Sequence, residues 1–86
     1  MASYKVEWKR SAEKDLRKID RLWIRPIIEA VEALPENPFP KGCRKLYGTE
    51  HHYRIRVGDY RVIYQVEDTA GVVIVYHVRH RKEAYR

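Results

Sequence analysis

The stretch Tyr53-Arg54-Ile55-Arg56-Val57-Gly58-Asp59-Tyr60-Arg61-Val62-Ile63-Tyr64 leaves this chain few ways to fold. Two runs of β-branched, aromatic and arginine residues flank a Gly-Asp pair, the short-range signature of a β-hairpin. Side chains alternate faces along a strand, so Arg54 and Arg56 share one face. With Gly58-Asp59 as a two-residue loop, Val57 pairs with Tyr60 and Arg56 stands directly opposite Arg61. Directly opposed side chains are about 5 Å apart, and like charges there are destabilising. Three guanidiniums gathered on one sheet face therefore point to an anion, and the planar fork of arginine suits phosphate.

The rest of the chain can be arranged around that hairpin. Tyr4, Val6 and Trp8 alternate with Lys5, Glu7 and Lys9, which predicts a short strand with one buried face. Ser11 is the expected N-cap of a helix over about 12–18, striped by Ala12, Leu16 and Ile19. Asp20 offers a second cap, and Ile24, Ile27, Ile28, Val31 and Leu34 form a stronger stripe. Pro26 is expected in the first turn of that helix, where its missing N–H costs little. Two helices with almost no loop make an αα-hairpin. Three prolines and a glycine between Leu34 and Gly42 predict an ordered crossover. Arg44–Tyr47 is a short strand or the approach to one. Strands follow over about 52–57, 60–67 and 72–79, and the near-continuous apolar run Val72–Val78 predicts a central strand buried on both faces. The order β-α-α-β-β-β gives an α+β fold: an N-terminal strand, the αα-hairpin, then a three-stranded antiparallel meander, with the helices packed on one sheet face. The helices would cover Tyr53, Ile55, Val57, Tyr60, Val62, Tyr64 and Val66. Arg54, Arg56, Arg61, Ile63 and Gln65 would line the other face.

Eighty-six residues support one core, so residues 1–86 are read as a single domain. The formal charge is +6, and it is uneven: residues 1–43 carry 9 Lys/Arg against 7 Asp/Glu, residues 44–86 carry 9 against 5. The second half is thus the polyanion-facing half, although charge alone does not choose among nucleic acid, an anionic membrane and an acidic protein. Cys43 is the sole cysteine, so no internal disulfide forms, as suits a reducing cytosol. The N-terminus lacks a signal-peptide apolar core, and no apolar run approaches the ~20 residues of a membrane span. These features predict a soluble cytoplasmic protein without a membrane partner. His51-His52 invites a metal, but adjacent strand residues point to opposite faces and one cysteine supplies no ligand cluster, so neither metal nor cofactor is expected.

At Tyr53–Tyr64, and again at Val78-Arg79-His80-Arg81-Lys82-Glu83-Ala84-Tyr85-Arg86, the chain resembles the RelE/ParE toxin superfamily, and within it the RelE-like mRNA interferases. Lys45-Leu46-Tyr47-Gly48 is similar to the Leu-x-Gly segment that precedes the family's sheet. The resemblance implies a compact toxin neutralised by a cognate antitoxin, touching operator DNA only through the antitoxin complex. It implies metal-free cleavage of messenger RNA in the ribosomal A site, by attack of the ribose 2′-hydroxyl on the adjacent phosphate to leave a 2′,3′-cyclic phosphate. Carried over by position, Arg54 and Arg56 match two basic residues that are lysines in familiar members. Arg61 matches the strand arginine, Arg81 the C-terminal arginine, and Tyr85 the tyrosine. The tail departs from the family in length, because Tyr85 follows Arg81 by only four residues.

The residues leave the general base open. Tyrosine titrates near ~10 and arginine above ~12, so neither is poised at neutrality. Surrounding cations favour a tyrosinate, which makes Tyr85 physically possible. His80 needs no such tuning and is the competing candidate. The resemblance favours Tyr85. His77 reads as a structural strand histidine. The resemblance implies two alternatives as well: a ParE-like gyrase inhibitor, and a non-enzymatic basic module that co-regulates with an antitoxin. Under the resemblance, ParE-like chains generally lack the full arginine and tyrosine set, so Arg61, Arg81 and Tyr85 together favour the nuclease.

Overall fold

The structure, a computed structural model, describes residues 4–46, 48 and 51–84. Its elements are β1 (Lys5–Trp8), α1 (Arg10–Lys18), α2 (Arg21–Glu32), β2 (Arg44–Lys45), β3 (His52–Val57), β4 (Tyr60–Glu67), β5 (Val72–His80) and α3 (Arg81–Ala84). The α+β order expected from the sequence is present, and the strands form one five-stranded sheet in the order β1-β5-β4-β3-β2. β3, β4 and β5 make the antiparallel meander, while β1 adds parallel to β5, so the sheet is mixed. β2 pairs antiparallel with β3.

The helices bury one face of this sheet. Ala12 of α1 and Ile27 and Val31 of α2 meet Ile55, Val62, Tyr64, Val66, Val73, Val75 and Val78, with Leu34 just past α2. Burying each such aliphatic side chain is worth roughly 1.5–3 kcal/mol. β5 differs from its expected double burial. Val73, Val75 and Val78 are buried, whereas the residues between them keep partial exposure. Val75 and Val78 can share a face although three apart because the register slips between them. Ile63 pairs with His77 and Tyr64 with Val75, so Tyr76 is the extra residue of a bulge.

Both helix starts are informative. Asp20 caps α2 as expected, its carboxylate accepting from the Leu22 N–H at 3.0 Å. Ser11 does not cap α1. The helix begins at Arg10 after Lys9, with no side-chain cap, and the Ser11 hydroxyl instead donates to the Tyr76 carbonyl at 2.6 Å. A tertiary partner outcompetes the local one, at a point on β5 just beyond the end of its pairing with β1. Pro26 also lies deeper than expected, as the sixth residue of α2. It cannot donate to the Leu22 carbonyl, but Leu22 is 80% exposed, where a lost internal bond is least costly.

The crossover is ordered by contacts from the sheet. The buried Tyr64 hydroxyl donates to the Pro38 carbonyl at 2.7 Å, and Phe39 packs edge-on against Tyr53 at 4.9 Å. Burial pushes the Tyr64 hydroxyl well above its ordinary range, with Cys43 adding to the effect. The folded state therefore holds that proton more tightly than the unfolded chain, where tyrosine titrates near ~10. Its stabilisation is complete below that pH and is lost as pH rises through the higher folded value. Tyr64→Phe is expected to destabilise the fold by about 1–3 kcal/mol at pH 7, because the Pro38 carbonyl loses its donor. Urea unfolding at pH 7 and pH 11 should also show a smaller alkaline loss in the variant than in the wild type.

Candidate functional site

The hairpin forms as the sequence predicts. Val57 pairs with Tyr60, and Arg56 lies directly opposite Arg61. Gly58 has φ +59°, while no residue other than glycine has positive φ among the described residues. A positive φ at the first central position alone is the pattern of a type II′ turn. Trp23 of α2 packs on the turn so closely that a Cβ at position 58 would collide with its ring. Its indole also packs against Tyr60, 6.1 Å between centroids. The turn is thus clamped from the helix side, and the arginine register is fixed with it.

On the opposite face the arginines form a lattice. Arg44 pairs with Arg54, Arg56 with Arg61, and Arg61 with Arg79. A row of three arginines crosses β3, β4 and β5. Arg61, in the middle, is only 8% exposed, more enclosed than an open face suggests. Its Nη1 donates to the carbonyls of Gly58 (3.4 Å) and Tyr60 (3.2 Å), and Arg56 Nε donates to the same Gly58 carbonyl (3.3 Å). Gly42, Arg44, Arg54, Arg56 and Arg61 line a cleft of about 390 Å³. That volume falls in the ~300–1,000 Å³ span of small-ligand sites.

The other expected residues fall in different places. Arg81 opens α3 at the hairpin end of the sheet. Its N–H donates to the Asp59 carbonyl at 2.7 Å, and its guanidinium stands 4.0 Å from the exposed Asp59 carboxylate. His80 is opposite Tyr60, and its ring meets Tyr60 edge-on at 5.5 Å. It therefore lies on the helix face, across the sheet from the arginines, where its Nδ1 accepts from the Lys82 N–H. Tyr85 lies outside the described residues. Among the described residues no three His, Cys, Asp or Glu side chains gather to hold a metal ion, and no helix is long and apolar enough to cross a membrane.

Sequence reading missed three members of the arginine face. Arg44 joins through β2, a two-residue strand too short for a periodic signal. Arg79 follows from the β4–β5 register, which the bulge at Tyr76 hides from simple alternation. His77 is brought to the same face, 3.1 Å from Asp15 of α1 and 3.2 Å from Arg79 Nη2, both measured to Nδ1. No local pattern links residues 62 apart in the chain.

Gly58→Ala forces a left-handed alanine against the Trp23 ring. The expected loss is about 2 kcal/mol or more, from backbone strain and overpacking together. Urea unfolding followed by tryptophan fluorescence tests it, and an unchanged midpoint would mean that the clamp yields.

Comparison with known proteins agrees with this fold. Residues 6–85 match the family described as ParE toxin of type II toxin–antitoxin system, parDE. Toxin RelG of Mycobacterium tuberculosis is 31% identical over 87 residues, spanning 96% of this chain and 97% of that protein. The archaeal RelE–RelB complex from Pyrococcus horikoshii contains a chain with TM-score 0.80 and 31% identity, covering 92% of this chain and 96% of that one. The isolated RelE toxin of E. coli gives TM-score 0.78 at 26% identity, covering 96% of both chains. The chain belongs to the RelE/ParE family of type II toxin–antitoxin toxins and is RelE-like within it.

Proposed function

We propose that the chain is a ribosome-dependent endoribonuclease toxin, cleaving messenger RNA in the A site by 2′-hydroxyl attack on the adjacent phosphate. The observation that carries this reading is the arginine cleft, in which Arg44, Arg54, Arg56 and Arg61 converge. Attack of the 2′-oxygen concentrates negative charge on the phosphoryl oxygens. Fixed guanidiniums stabilise that charge without reorganising, at about 3–4 kcal/mol for a well-placed donor. Arg61 is the best placed, since its burial and its two carbonyl contacts hold it in one orientation. Arg81, tethered at the hairpin turn, would close the phosphate from the end of the sheet. Arginine cannot exchange its proton near neutrality, so this face binds and stabilises, and the ribosome supplies much of the RNA's orientation. The family resemblance adds Tyr85 to these arginines.

A cognate antitoxin is the expected partner, as the RelE chains of P. horikoshii and E. coli have been solved in complexes with RelB. An apolar groove of about 330 Å³ between the end of α2 and the crossover borders the arginine cleft, sharing Gly42 and Arg56 with it. An acidic amphipathic segment could fill the groove and neutralise the cleft together. Operator DNA would be met only through that complex, and the site of action is the cytoplasm.

Primer extension on a message translated in a purified system tests the nuclease. Cuts within A-site codons are expected from the wild type, with Arg61→Ala slowing them about 10²–10³-fold. Arg61→Ala cleaving within a few-fold of wild type would remove the arginine mechanism. Folded, antitoxin-free wild type that leaves the message intact would overturn the nuclease reading and turn attention to DNA supercoiling.

A further inference from the structure

β1 ends at Trp8 and pairs with β5 only as far as Val75. Beyond that point α1 side chains serve the edge of β5. Ser11 donates to the Tyr76 carbonyl, and Asp15 Oδ2 accepts from the Val78 N–H at 3.0 Å. The same carboxylate oxygen stands 3.1 Å from His77 Nδ1. Closing the edge does not need an imidazole, because Asp15 accepts from the Val78 backbone whatever residue occupies position 77.

The imidazole is on the arginine face. His77 is opposite Ile63, which is opposite Arg54, which is opposite Arg44. Arg61 and Arg79 lie one same-face step away, about 7 Å at the strand spacing. The His77 side chain keeps 33% of its surface exposed. Nδ1 cannot both donate to Asp15 and accept from Arg79. With the carboxylate ionised, the proton belongs on Nδ1 facing Asp15, which leaves Nε2 as a bare acceptor. A carboxylate that fixes the tautomer of an imidazole beside an anion site is the arrangement of an oriented general base.

We propose that His77, held by Asp15, takes the proton from the attacking ribose 2′-hydroxyl, an inference that rests on the endoribonuclease reading. Nε2 accepts the 2′-proton as the oxygen's electron pair forms the new bond to phosphorus. The bond from phosphorus to the 5′-oxygen breaks, its electron pair stays on that oxygen, and the oxygen takes a proton from water. The products are a 2′,3′-cyclic phosphate and a 5′-hydroxyl, and the imidazolium returns its proton to the hydroxide left behind. The charged groups facing the ring are Asp15 from α1, Arg79 from β5 and, diagonally, Arg61 from β4. Asp15 favours the imidazolium as it forms, and the two arginines favour its discharge.

The test is single-turnover cleavage of message on programmed ribosomes between pH 5 and 9, with wild type, His77→Gln and Asp15→Asn, each checked for folding by circular dichroism. The wild-type rate should rise with pH and level off within the range where imidazoles titrate, pH 5 to 8. His77→Gln should lose about 10²–10⁴-fold and lose the pH-dependent limb. Asp15→Asn keeps an acceptor for the Val78 N–H but removes the charge, so its limb should move to lower pH, a shift that a purely structural role would not cause. The Asp15→Asn shift decides the matter if His77→Gln does not fold. His77→Gln cleaving within a few-fold of wild type with its limb intact overturns the assignment and leaves the nuclease standing. Wild type that never cleaves overturns both.

Discussion

Arg56 faces Arg61 because a two-residue turn gives β3 and β4 no other register, and the site depends on that opposition. Opposed like charges cost a few tenths to about 1 kcal/mol per pair. A flexible turn could relieve them by slipping one residue, but a slip would send every core side chain of one strand to the wrong face. The turn is also clamped, since Gly58 takes the left-handed conformation beneath Trp23. The Gly58 carbonyl then receives donors from both Arg56 and Arg61. The residue that sets the register thus also anchors the charges that the register brings together. Core packing on one face holds like charges together on the other, where a bound anion would offset their repulsion.

The second organising constraint is the short β1. Four residues cannot cover nine, so half of β5 would present open backbone groups at its edge. An unpaired edge is a liability that proteins cover or blunt. Here α1 does so with side chains, Ser11 to a carbonyl and Asp15 to an N–H. That solution has a consequence for chemistry. It carries a carboxylate from the helix layer to the rim of the arginine face and sets it against His77. The bulge at Tyr76 contributes by shifting parity, which lets Val78 stay in the core while His77 and Arg79 turn to the arginines.

Local rules made much of this legible in the sequence. The hairpin, its turn, the Asp20 cap, the apolar stripes and the three arginines at 54, 56 and 61 follow from period, spacing and turn chemistry, and the structure keeps them. Most of the departures share one cause, competition from groups distant in the chain. Ser11 looks like a cap until the Tyr76 carbonyl of β5 is near. Pro26, expected in the first turn, lies sixth in α2 because the helix already begins at Arg21 behind its Asp20 cap. The run Val72–Val78 looks doubly buried because apolar residues are tolerated on its second face, where Ile74 and Tyr76 are half-covered. Arg44, Arg79 and His77 belong to the site through strand pairing alone, and no window of sequence contains that pairing. His80, attractive as a titratable residue beside Arg81, is carried to the helix face by its opposition to Tyr60.

A face built from arginine can hold a phosphate and stabilise a growing charge, but it cannot move a proton at neutral pH. The work must therefore divide between fixed cations and at least one group of a different kind. Chain topology limits where such a group can sit. It must reach the arginine face without lying under the helices, which disfavours His80. It needs an orienting partner outside the cation row, which Asp15 provides for His77 from α1. His77 approaches from within the sheet. A base set in the sheet needs the ribose to lie across β4 and β5, with the scissile phosphate over Arg61, the most enclosed of the arginines. The most enclosed cation would then stand under the atom whose charge changes most, which is where preorganisation is worth most.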